Sequence, residues 1–154
     1  MTMTPLHPEH GSPPSWAGVP PLATCSYDRY QRKMGTAVRI TRFALRGVAL
    51  PDPRYTDQPH WPVVRALIPA AAIFHKGLPH AEFAALYRND LAVHAGRIEN
   101  ELRAIPLDPY PGERRLVLLC YEDVTSETPI GVCHRTVFAA WWKARTGLVV
   151  PELG

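Results

Sequence analysis

Arg115-Leu116-Val117-Leu118-Leu119-Cys120 is the stretch on which the fold turns. Its uninterrupted apolar run, without the alternation of a half-exposed strand, describes a strand buried on both faces, as in a parallel sheet. Pro111-Gly112 supplies a turn ahead of it. Upstream, residues 79–105 change period. Phe83, Tyr87, Leu91, Ala95, Ile98, Leu102 and Ile105 recur at steps of three and four and form one apolar helical stripe. Gly96 is where that stretch is expected to divide into two helices, and Pro106 ends it. Further back, Ala37-Val38-Arg39-Ile40-Thr41-Arg42-Phe43 alternates and is rich in β-branched residues, which reads as a second strand. Downstream, Cys133 to about Thr146 reads as a helix stopping near Gly147, with Val137/Trp141 and Phe138/Trp142 paired along its faces. Strands alternating with helices define an α/β layered fold with a mainly parallel sheet.

The 154 residues are the size of one ordinary domain and need no metal or disulfide merely to fold. Prolines at 5, 8, 13, 14, 20 and 21 remove backbone donors and disfavour helix. Residues 1–22 are therefore expected to be a proline-rich, disordered arm, with Trp16 as a possible anchor, and residues 23–154 a single α/β domain. Residues 46–62, with four further prolines, read as a long irregular connection. No run approaches the ~18 apolar residues of a membrane span, so no membrane partner is expected. The start of the chain has neither the basic region nor the apolar core of a signal peptide. An odd cysteine count, Cys25, Cys120 and Cys133, argues against a disulfide framework and for the cytoplasm.

The formal net charge is +3, and among the 17 basic residues only Lys33, Lys76 and Lys143 are lysines. Arginine forks suit carboxylate and phosphate ligands. They are spread along the chain, however, as a GC-rich genome would spread them, and a nucleic-acid partner is not favoured.

Ligands of open parallel sheets bind beyond the carboxyl ends of the strands. Cys120 and Glu122 lie at that end of the apolar strand, and Cys133-His134-Arg135 opens the next helix. Helix amides attract anions. Arg135 adds a bidentate clamp, and together they lower the pKa of the Cys133 thiol, which becomes a candidate nucleophile. His134 is a candidate acid or base, or else its ring satisfies a backbone carbonyl. Two other readings stay open. Cysteine, glutamate and histidine can bind zinc, but the spacing matches no finger pattern and no metal site is expected. The cysteines are also the kind of small apolar residue that cores bury. A cysteine phosphatase is excluded, since neither Cys120 nor Cys133 has an arginine six positions on.

Leu118-Leu119-Cys120-Tyr121-Glu122 followed by Cys133-His134-Arg135 resembles the closing motif of the bacterial domain-of-unknown-function family 488 (DUF488), which includes the YeaO-like proteins. Weaker likeness extends through Tyr87-Arg88 with Leu91, Arg39-Ile40-Thr41-Arg42 and Thr24-Cys25-Ser26-Tyr27. The resemblance implies a Rossmann-like, three-layer domain with the paired motifs at one edge of the sheet, and no established activity.

Three further residues complete the candidate set. Arg42, after its strand, would converge with Arg135 on a phosphate, and Tyr27 and Tyr87 would line the pocket or stack on a ring. The expectation is thus a protein that binds, and in one version transforms, a phosphorylated or nucleotide-like ligand. Cys133, His134 and Glu122 would then be catalytic, and Arg135, Arg42, Tyr27, Tyr87 and Cys120 ligand-binding. Whether it is an enzyme, its cofactor and its oligomeric state are left open. The alternative is a non-catalytic, phage- or defence-associated protein that engages a host protein or nucleic acid through the arm and the Trp141-Trp142 helix.

Overall fold

The computed structural model describes residues 12–41, 61–69, 79–120 and 134–154. In chain order their elements are β1 (Leu22–Ser26), β2 (Thr36–Arg39), α1 (His80–Val93), α2 (Ala95–Arg103), β3 (Leu116–Cys120) and α3 (His134–Thr146), with short 3-10 turns at Arg32–Met34 and Arg65–Leu67. The apolar run is the middle strand. The sheet order is β1-β3-β2, and both pairings are parallel. Every residue of β3 is fully buried, as a strand covered on both faces and both edges must be.

β1 was not anticipated, and its opening residue Leu22 had been assigned to the arm. It is five residues long, follows Pro20 and Pro21 directly, and is buried throughout. Burial on both faces removes the alternation of a half-exposed strand, and Thr24 and Ser26 interrupt the apolar run that would otherwise announce a buried one. The helical stretch does divide, but at His94 (φ −104°, ψ 16°), while Gly96 sits inside α2.

The sheet separates two cores. Leu22, Val38, Ile40, Leu116, Leu118 and Cys120 face the helices, where Tyr87, Leu91, Ile98, Leu102, Phe138 and Trp142 pack on them. Each such side chain, fully buried, contributes about 1.5–3 kcal/mol. Ala23, Cys25, Ala37, Val117 and Leu119 face the other way. β1 and β2 both flank β3, so the connection through residues 27–35 must cross it, and it does so on this second face. Tyr27, Tyr30 and Met34 from that crossing, with Trp61 and Leu153, cover the sheet. A Rossmann-like three-layer arrangement would hold helices there; among the described residues this layer is irregular chain. The observed architecture is a small α/β fold with an all-parallel three-stranded sheet, compatible with a Rossmann-like one.

Two segments close the sheet edges. Residues 151–154 run beside β1, Thr24 N–H donating to the Pro151 carbonyl (2.9 Å) and Leu153 N–H to that of Thr24 (2.7 Å). Beside the carboxyl half of β2, Arg39 N–H donates to the Pro62 carbonyl (2.8 Å) and Val64 N–H to that of Arg39 (3.0 Å). The described part of the proline-rich stretch lies against the domain. Arg103 Nε donates to the Ala17 carbonyl (2.9 Å), and Ser15 Oγ and Arg145 Nε both donate to the buried Glu99 carboxylate (3.1 and 2.9 Å). The Arg145 guanidinium lies 6.0 Å from the Trp16 ring and 5.6 Å from the Trp141 ring. No described helix is long and apolar enough to cross a membrane.

Candidate functional site

β3 ends at Cys120 and α3 begins at His134, so the fold brings the carboxyl end of the central strand against the amino end of a helix. Cys133, Glu122 and Arg42, three of the residues singled out in the sequence, lie outside the described residues. His134, Arg135, Cys120, Tyr27 and Tyr87 are described, and all are buried.

Arg135 is the centre of the arrangement. Its side chain is 0% exposed, and water therefore gives its charge no relief. Nε donates to Glu152 Oε1 at 2.9 Å and Nη1 to Cys120 Sγ at 3.1 Å. The same Oε1 accepts from Thr24 Oγ1 at 2.9 Å, and Oε2 accepts from Gly154 N–H at 3.2 Å. One carboxylate, 28% exposed, is thus held by a guanidinium from α3, a hydroxyl from β1 and a backbone amide. Such charge-assisted contacts are the strong members of their class.

Cys120 is disulfide-bonded. The odd cysteine count had argued against a disulfide framework; a count cannot see a single pair of sulfurs brought together by folding. Cys25 is free and buried on the second face. Burial first, and the Glu152 carboxylate second, push its thiol up to about 11, so it stays protonated and unreactive.

His134 takes the carbonyl-satisfying role of the two weighed for it. Its Nε2–H donates to the Ile40 carbonyl at 2.7 Å, pinning the start of α3 to the end of β2. Burial brings its pKa down to about 4, helped by the neighbouring Arg135 and opposed by that hydrogen bond, so the ring is neutral at physiological pH. Tyr87 packs edge-on to it, centroids 5.7 Å apart, and donates its hydroxyl to the Leu67 carbonyl. Desolvation holds the Tyr87 hydroxyl well above its ordinary pKa. Tyr27 lies on the other side of the sheet, its hydroxyl 2.7 Å from Thr41 Oγ1 and its ring parallel to Trp61.

The carboxyl pole therefore unites Arg135, Cys120, His134 and Tyr87 on the helix face, and leaves Tyr27 on the opposite one. Sequence reasoning missed Thr24 and Glu152. A threonine in an unrecognised strand carries no signal. Glu152, 17 positions from Arg135, is brought to it only by the pairing of residues 151–154 with β1. Among the described residues no cluster of His, Cys, Asp or Glu is placed to hold a metal ion. No protein-family model matches the chain, and neither a curated protein nor a solved structure is similar to it.

Proposed function

We propose that this protein binds a small oxyanion-bearing ligand, of the phosphorylated or nucleotide-like kind, at the carboxyl ends of its strands. In this reading the ligand takes the place of the Glu152 carboxylate. One observation carries it: a fully buried guanidinium and the Thr24 hydroxyl converge on a single oxygen of Glu152, whose side chain is itself partly open to water. Groups that cradle a carboxylate also suit a phosphate oxygen, and an arginine fork is the usual means. The location agrees with where parallel sheets place their ligands. The reading is one of binding and assigns no bond-making step. His134, neutral and committed to Ile40, serves it by fixing the helix that presents Arg135.

Glu152→Gln removes the competing charge and keeps an oxygen for Arg135 and Thr24. Calorimetric titration with inorganic phosphate and AMP should show binding by this variant at least tenfold tighter than by the unmodified chain, and phosphate should raise its melting temperature. Absence of binding by Glu152→Gln at millimolar ligand would sink the reading.

A further inference from the structure

The opposite pole of the sheet holds a cavity of about 460 Å³, within the range of small-molecule sites. It lies along the outer edge of β2, at its amino end, where Tyr30, Ala37 and Trp61 of the second face meet Leu107 of the helix-face core, and its lining includes neither Cys120 nor Arg135. Its aromatic wall is a corner formed by Tyr30 and Trp61, whose centroids are 5.7 Å apart with ring planes at 76°. Both rings are set. Tyr30 donates its hydroxyl to the Gly35 carbonyl (2.6 Å), and Trp61 lies parallel to Tyr27. Pro62, Pro106 and Pro109 add apolar surface and bring no N–H donor. At the rim Arg32 grips Asp108 through two hydrogen bonds, 2.9 and 3.0 Å, and lies over the Tyr110 ring, so the rim charge is balanced within the protein.

The floor is a backbone edge. In β2, Thr36 and Ile40 donate toward β3, so Ala37 and Arg39 turn their N–H and C=O outward. Arg39 is paired there with residues 62 and 64. Ala37, which lines the cavity, is paired on that side with no backbone group among the described residues. The Gly35 carbonyl is already taken by Tyr30. The available edge is thus one residue long, too short to recruit a peptide strand, yet it offers one donor beside one acceptor. Two residues on, Arg39 keeps its Nε buried with no hydrogen-bond partner among the described residues.

We infer that this cavity is a binding site for an uncharged planar heterocycle of the nucleobase or nucleoside class, stacked on the half-buried Trp61, which the buried Tyr30 ring backs, and read by the Ala37 N–H and C=O. A flat ring with adjacent donor and acceptor atoms satisfies that edge, and base–aromatic stacking tolerates any base. The site is separate from the oxyanion cradle, and neither reading depends on the other.

The test is titration of the full chain with adenosine, guanosine, cytidine and uridine, followed by calorimetry and tryptophan fluorescence. At least one nucleoside should bind with Kd of about 1 mM or tighter and quench fluorescence. Trp61→Ala should weaken that binding tenfold or more. Trp61→Phe should keep it while losing most of the quench, which decides the matter even if the alanine variant folds poorly. Binding that leaves both variants unaltered, or no binding by any of the four, would overturn the inference. So would displacement of the nucleoside by a proline-rich peptide at lower concentration, which would make the corner a peptide groove.

Discussion

The two ends of this sheet manage polar groups in opposite ways. At the carboxyl pole, on the helix face, a guanidinium is withdrawn from water entirely and balanced by Glu152, which Thr24 helps to hold, with the Cys120 sulfur accepting a further hydrogen bond. At the amino pole, on the irregular face, the charged pair Arg32–Asp108 stays at the rim, 37% and 26% exposed, and the interior is left to aromatic rings, prolines and one strand edge. The difference follows from the covering layer. Packed helices shut out water and make any enclosed charge depend on its partner, whereas a crossing segment of irregular chain leaves a cavity and keeps charge in solvent.

The sharpest way to break this contrast is to remove one charge from each pole. Glu152→Ala leaves Arg135 buried without its carboxylate, and the expected loss is about 3–5 kcal/mol of unfolding free energy in a denaturant titration. A loss near zero would mean that water reaches Arg135 and that the pole is not closed. The second test uses acid. The pKa of His134 in the folded chain, about 4, lies below its unfolded value near 6.5, so the unfolded chain binds the extra proton first. Its contribution is whole above pH 6.5 and is lost as pH falls from 6.5 toward 4, by on the order of 3 kcal/mol. Melting temperatures across that window should fall for the unmodified chain and flatten for His134→Asn; equal slopes would remove His134 from the account. The smallest effect belongs to the other pole. Asp108 is held below its ordinary pKa chiefly by its hydrogen bond from Arg32, so its contribution is present above about pH 3.8 and fades below that, outside the histidine window. Because the pair is solvated, Asp108→Asn should cost no more than about 1 kcal/mol at neutral pH by the same titration.

How far the sequence anticipated this molecule depended on whether a signal was local. The middle strand was readable because burial on both sides leaves an unbroken apolar run, and the paired helices because Tyr87, Leu91, Ile98 and Leu102 keep a helical period. β1 was not, since Thr24 and Ser26 break its five residues into neither an alternating nor an unbroken apolar pattern. The end of the apolar strand at Cys120 and the helix opening at His134 follow the local pattern of the sequence. The burial of Arg135 was not foreseen, because it rests on Glu152 arriving from a segment with no periodicity at all. The aromatic corner was hidden in the same way: Trp61 ends a proline-rich stretch that reads only as a connection, and nothing near it points to Tyr30.

The strand order has a consequence for how the chain reaches this state. β1 and β2 lie early in the sequence and close together, yet neither pairs with the other; both wait for β3, at residues 116–120. As the chain is synthesised, its first two strands emerge with no template to join. The sheet then closes by long-range encounters around a single late segment, and residues 151–154, later still in the sequence, pair beside β1. Such a topology is intrinsically slow to fold, because neither β1 nor β2 can join the sheet before β3 exists.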